Sequence, residues 1–177
     1  MLTAVASGFV LAILVPLVRR SSSPAAGWFL ATLPAALAAY FFSQASRVWR
    51  DGPILEHNSW APGMGIALDF RLDGLSLLFA LLITVIGAVV LVYSGKYLRD
   101  RARLGRFYGL LLFFMASMLG LVLAGNTLLL YVFWELTSIS SYLLIGFENE
   151  RAAARSAALQ ALLVTVLGGL CLLAGIV

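Results

Sequence analysis

Charge is scarce in this sequence: Lys, Arg, Asp and Glu make up 11% of 177 residues, whereas 62% are hydrophobic. A mean hydropathy of +1.01 leaves too little polar surface for a soluble domain, so the chain reads as an integral membrane protein. Cysteine is limited to Cys171, inside an apolar run, which excludes an intrachain disulfide and a thiol-ligated metal site and leaves a packing residue. There is one histidine, His57, and no Gly-rich phosphate loop, no paired Cys/His set and no Ser/His/Asp arrangement able to meet on one side of a membrane. Nothing in the residues calls for ATP, a redox cofactor or a self-contained enzyme. The net charge of +4 does not point to nucleic acid, because the basic residues flank apolar segments and line no continuous face.

The apolar runs themselves predict an all-α polytopic bundle of about six transmembrane helices forming one membrane domain, residues 1–177. The spans run from about Leu2 to Val18, Trp28 to Phe42, Gly74 to Tyr93, Phe107 to Ala124, Leu128 to Phe147 and Ala152 to Val177. The first is not ordered like a signal peptide, since no positive residue precedes it and Arg19-Arg20 follow it. The second is short and holds Pro34, which predicts a kink, a tilt or an extension by Ala45. Ala116 and Gly120, four apart, allow a close helix approach, and Trp28, Trp49 and Trp60 fall near span boundaries where amphipathic rings settle.

Alternating these spans places Arg19, Arg20, Lys96, Arg99, Arg101, Arg103, Arg106, Arg151 and Arg155 on one side and Arg47, Arg50 and Arg71 on the other. The positive-inside rule puts the larger set in the cytoplasm and the N-terminus outside, in a cell membrane. The run from Lys96 to Arg106 needs no role beyond topology, although it also suits anionic lipid headgroups. The longest loop, Ser43 to Asp73, is then extracytoplasmic, and residues 63–73 partly alternate apolar and polar side chains as a short hairpin does. Asp73, directly before Gly74 and a long apolar run, has the chemistry of an N-cap. His57 reads as an ordinary loop residue, its alternative being a proton relay.

One ionisable group lies deep in an apolar run: Glu135, in the stretch from Leu128 to Phe147. A charged side chain at the bilayer centre costs roughly 2.5–3.5 kcal/mol or more, so such residues face a bundle interior and serve ion or proton pathways. Tyr131, Glu135, Ser138 and Tyr142 stand at helical spacing on one face, a polar stripe that must turn from lipid. Thr137, Ser140 and Ser141 add hydroxyls that can bond backbone carbonyls or hold a short water chain. A carboxyl taken out of water holds its proton more tightly and a nearby ammonium loosens it, so a moving partner could switch such a group between uptake and release. Glu135 is therefore the candidate proton-relay carboxylate, against the alternative of a structural acid hydrogen-bonded between helices.

The segments Arg71 to Phe79, Arg106-Phe107-Tyr108, Tyr131 to Ser138 and Ser141 to Phe147 together resemble the antiporter-like membrane subunits. That family unites the large subunits of Mrp-type multisubunit Na+/H+ antiporters with the proton-pumping membrane-arm subunits of respiratory complex I and related hydrogenases. Phe133-Trp134-Glu135-Leu136-Thr137-Ser138 is more similar to the A-type branch of the Mrp subunits than to the Gly-Trp-Glu-Gly-Val-Gly of complex I subunits. Thr165 to Leu170 points the same way, because complex I relatives commonly carry Asp where Gly169 stands. Gly125 departs from relatives that often have Asp there.

The resemblance implies that Glu135 is the fifth-span glutamate, whose family partner is a lysine on a later, broken helix. Family subunits have about fourteen or more spans, and this sequence holds no intramembrane lysine, so it resembles the N-terminal segment of a longer or split subunit. The implied function is exchange of cytoplasmic Na+ for external H+, with the rest of the subunit, other antiporter subunits and the lipid bilayer as partners and no cofactor. The alternatives are a membrane-arm subunit of a redox-driven proton pump and a non-transporting scaffold whose polar stripe docks neighbours.

Overall fold

The computed structural model describes residues 1–18, 25–61, 66–97 and 104–176. Among the described residues, six α-helices follow one another as α1 (Leu2–Val18), α2 (Ala25–Asp51), α3 (Gly74–Tyr97), α4 (Leu104–Leu123), α5 (Thr127–Ile145) and α6 (Ala152–Ile176). Five of them are long and apolar enough to cross a membrane, and α1, at 17 residues, is a shorter apolar helix. That length sits at the lower limit of about 17–25 residues for a span. The chain is thus an all-α, multi-pass membrane bundle. Arg19, Arg20, Arg99, Arg101 and Arg103, five of the residues behind the orientation argument, lie outside the described residues.

The bundle is built outward from α4, which packs against α1, α3 and α5, while α2 lies on α3 and α6 on α5. Small residues permit this. Ala116 of α4 meets α1 at Gly8, where an added β-carbon would come within 2.8 Å of the Ala116 methyl. One turn on, Gly120 receives the Phe133 ring of α5 with no room for a side chain. The Ala116/Gly120 pair thus serves two different neighbours. Lipid supplies no hydrophobic drive for helix association, so close van der Waals approach of this kind has to supply it. Buried hydroxyls do not disturb the packing, because Thr84, Ser94 and Ser117 each donate to a carbonyl four residues earlier in their own helix.

The second helix corrects the sequence reading. It continues through Pro34 and past Phe42 as far as Asp51, so the first part of the expected loop from Ser43 is helical. Phe41 is fully buried, and Ala45 and Val48, at helical spacing from it, pack against the same core. The uninterrupted apolar run stops at Phe42, whereas the apolar face continues for two more turns among polar residues. Beyond the helix, β1 (Ile54–Ala61) and β2 (Ile66–Leu72) pair antiparallel, with His57 opposite Asp69 and a register shift between Ser59 and Ala61. The expected hairpin is present and longer than residues 63–73. Its turn, residues 62–65, lies outside the described residues.

Candidate functional site

At the mouth of α3, Asp73 and Ser76 exchange hydrogen bonds. The Ser76 N–H donates to Asp73 Oδ1 at 2.9 Å and the Asp73 N–H donates to Ser76 Oγ at 2.7 Å. This is reciprocal N-cap geometry. Arg71 adds an ion pair to Asp73 Oδ2 at 3.2 Å. The Ser76 backbone bond chiefly holds the Asp73 carboxyl below its ordinary range; partial burial opposes it, and the Ser76 hydroxyl and Arg71 reinforce it.

The hairpin is fastened to α5 by a cluster that sequence reading missed. Asn126 caps α5, accepting from the Leu129 N–H at 2.8 Å, while its amide donates to Asp69 Oδ2 at 3.1 Å and to the Ala67 carbonyl at 3.0 Å. The Gly125 N–H donates to the Asp69 carbonyl at 2.7 Å, and a β-carbon at Gly125 would fall 2.9 Å from that same oxygen. The glycine is therefore the residue that lets the strand backbone lie against the α4–α5 turn. His57 Nδ1 sits 2.5 Å from Asp69 Oδ1, so the loop histidine faces an acidic partner across the strands. Hydrogen bonds from Asn126 and then from His57 hold the Asp69 carboxyl below its ordinary range. Asn directly before an apolar helical run is itself an N-cap signal, and it could have been read.

On the same hairpin, Glu56 takes the Met1 ammonium and the Asn58 amide, tying the start of α1 to β1. Burial pushes this carboxyl up, but the hydrogen bonds from the ammonium and Asn58 outweigh it and leave it below the ordinary range.

Glu135 lies midway along the helix so positioned. Its side chain points to α6. One carboxyl oxygen, Oε1, is fully covered and has no hydrogen-bond partner among the described residues. It rests on Gly169, one of two buried residues of α6, and a β-carbon there would overlap the oxygen and lie 3.2 Å from the carboxyl carbon. Among the described residues, no hydroxyl of the stripe reaches it. Ser138 is buried and donates to the Trp134 carbonyl at 3.1 Å, and Thr137 donates to the same oxygen at 2.7 Å. Ser140 donates to Leu136 and Thr137. Tyr131, Ser141 and Tyr142 are half-buried.

Tyr142 opens on a cleft of about 280 Å³ at the far end of α5, shared with Arg106, Asn149 and Arg155. The face carrying Tyr142, Ser138 and Glu135 thus runs from a largely apolar cleft bordered by Arg106, Asn149 and Arg155 to a carboxyl with one covered oxygen midway along the helix. Such an arrangement can pass a proton if water bridges the hydroxyls. Among the described residues, no group of three or more His, Cys, Asp or Glu could hold a metal.

Two family profiles match this chain. The one described as NADH-Ubiquinone oxidoreductase (complex I), chain 5 N-terminus matches residues 60–108. The one described as NADH:quinone oxidoreductase/Mrp antiporter, TM, matches residues 124–177. The A1 subunit of the Na(+)/H(+) antiporter of Staphylococcus haemolyticus is 44% identical over 95% of this chain and 21% of its own length. Its namesake from Staphylococcus aureus is 42% identical over the same shares. The chain thus spans about a fifth of the length of these relatives. Among solved structures, the Mrp complex from a Dietzia species has a chain that superposes with a TM-score of 0.82 at 39% identity, over 97% of this chain and 18% of that one. An archaeal membrane-bound sulfane sulfur reductase gives 0.79 at 22% identity, over 94% and 34%, a likeness of fold alone.

Proposed function

This chain belongs to the antiporter-like membrane family shared by Mrp antiporters and NADH:quinone oxidoreductases, and on that premise we propose that it is the N-terminal part of a cation/proton antiporter subunit. In this reading residues 1–177 form one membrane domain with the N-terminus outside, working with the remaining spans of the same polypeptide and with the other subunits of a multisubunit complex. Cytoplasmic Na+ leaves in exchange for external H+, driven by the proton motive force at about 2.3 kcal/mol per charge per 100 mV for its electrical part. Glu135 takes up and releases the proton, and Tyr131, Ser138 and Tyr142, with Thr137 and Ser141 beside them, shape the hydration of its path.

The observation that carries the reading is the Glu135 carboxyl, midway along an apolar helix, with one oxygen covered at the α5–α6 interface and without a donor among the described residues. A purely structural acid would be expected to hold a donor there, since an unsatisfied buried polar atom costs about 1–3 kcal/mol. In membrane vesicles containing the complete complex, Glu135→Gln removes the titrating proton while keeping the shape. ΔpH-driven cation transport then falls to the level of vesicles lacking the protein, and undiminished transport overturns the relay. If Glu135→Ala loses assembly while Glu135→Gln still transports, the residue is a docking group in a scaffold.

The complex I description carried by residues 60–108 supports a second reading, a membrane-arm subunit of a redox-driven proton pump. Purification of the complex decides between them: small antiporter-like partners favour exchange, and quinone- or NADH-handling partners favour the pump.

A further inference from the structure

Gly169 and Gly168 are neighbours on α6 with different surroundings. A β-carbon at Gly168 meets nothing within 4 Å. At Gly169 it would overlap Glu135 Oε1 and come within 3.6 Å of the Trp134 ring. The oxygen that occupies this place is covered and accepts no hydrogen bond from the described residues. A neutral carboxyl oxygen tolerates a covered place without a donor better than an ionised one. On α5, Tyr131 stands one turn before Glu135 and Ser138 one turn after it, and the Trp134 ring borders the same slot.

We propose that Gly169 is the positioning residue for Glu135: by lacking a side chain it opens a slot between α5 and α6 that seats the carboxyl while it carries its proton. This deepens the relay reading and rests on it for its purpose, but the slot itself is a statement of geometry.

The test is infrared difference spectroscopy of the complete complex in membranes, across a pH series, with the Glu135 band assigned by its loss in Glu135→Gln. The wild type is expected to show a carbonyl stretch at the high wavenumber of a carboxyl free of hydrogen bonds. Gly169→Ala closes the slot, and the high-wavenumber population falls roughly tenfold as the band moves to the hydrogen-bonded position. Gly168→Ala, with equal gain in helix propensity and no clash, leaves it unchanged. A hydrogen-bonded Glu135 band in the wild type, no carbonyl band at any pH, or equal effects of the two alanines would each overturn the proposal. The wild-type spectrum alone decides if Gly169→Ala fails to assemble. Undiminished transport in Glu135→Gln sinks the relay while leaving the slot to be judged by its own band.

Discussion

Asp73 shows how much one side chain fixes. It caps α3, anchors the end of the hairpin through Arg71, and does both from a position outside the apolar core. Loss of an N-cap costs about 0.5–2 kcal/mol, so Asp73→Ala should lower stability by about 1 kcal/mol, whereas Asp73→Asn keeps an acceptor and most of the stability. Because folding holds this carboxyl below its ordinary value of 3.8, its contribution is complete at neutral pH and drains away as pH falls through the folded value. The gap between wild type and Asp73→Ala should therefore narrow below about pH 4. Thermal unfolding of the detergent-solubilised complex at several pH values measures this; a gap that stays constant down to the acid limit would show that ionisation contributes nothing.

At the scale of whole elements, α5 is set by its two ends and by α6. Its first turn is clamped from outside by Asn126, which bonds α5 with its oxygen and the hairpin with its nitrogen. Asn126→Ala breaks cap and clamp together, for a cost of about 1–3 kcal/mol. The expected sign is faster amide hydrogen exchange at Leu129 and Leu130 and along β2, with α1 unchanged; exchange confined to α5 would show that the hairpin is held by other contacts. Gly125→Val should act similarly by pushing the Asp69 backbone away.

Much of this level was legible. Helix α5 declared itself through a long apolar run, and Glu135 stood out as a charge inside it. What stayed hidden was pairing between elements: α6 is apolar nearly all round, so periodicity could not say that Gly169 faces Glu135, thirty-four positions earlier. The end of α2 was lost for the opposite reason, since a one-sided apolar face among Arg47, Trp49 and Arg50 resembles a loop when hydropathy alone is counted. Asp69, His57 and Asn126 meet only because of strand register and the α4–α5 turn, neither of which a single strand pattern encodes.

For the molecule as a whole, the hairpin and the α5–α6 connection lie at opposite ends of α5: β2 is bonded to Gly125 and Asn126 before its start, and Glu150 follows its end. Because α5 is long and apolar enough to cross a membrane, these two places face different compartments, and the proposal that the larger basic set is cytoplasmic predicts the hairpin outside. Moving the nine basic residues to the outside would work against the membrane potential and the anionic inner leaflet, at about 1 kcal/mol per residue near the surface. Site-directed labelling can read this in cells carrying the complete polypeptide, after Cys171→Ala removes the native thiol, which is exposed on α6. Ser59→Cys sits on an exposed strand position and Glu150→Cys on the exposed connection. A membrane-impermeant maleimide should modify the first on intact cells and the second only in everted vesicles. The reverse pattern would invert the bundle and send the Tyr142 cleft outward, and the Glu135 path would then open its polar face to the compartment from which the proposed antiporter draws its protons.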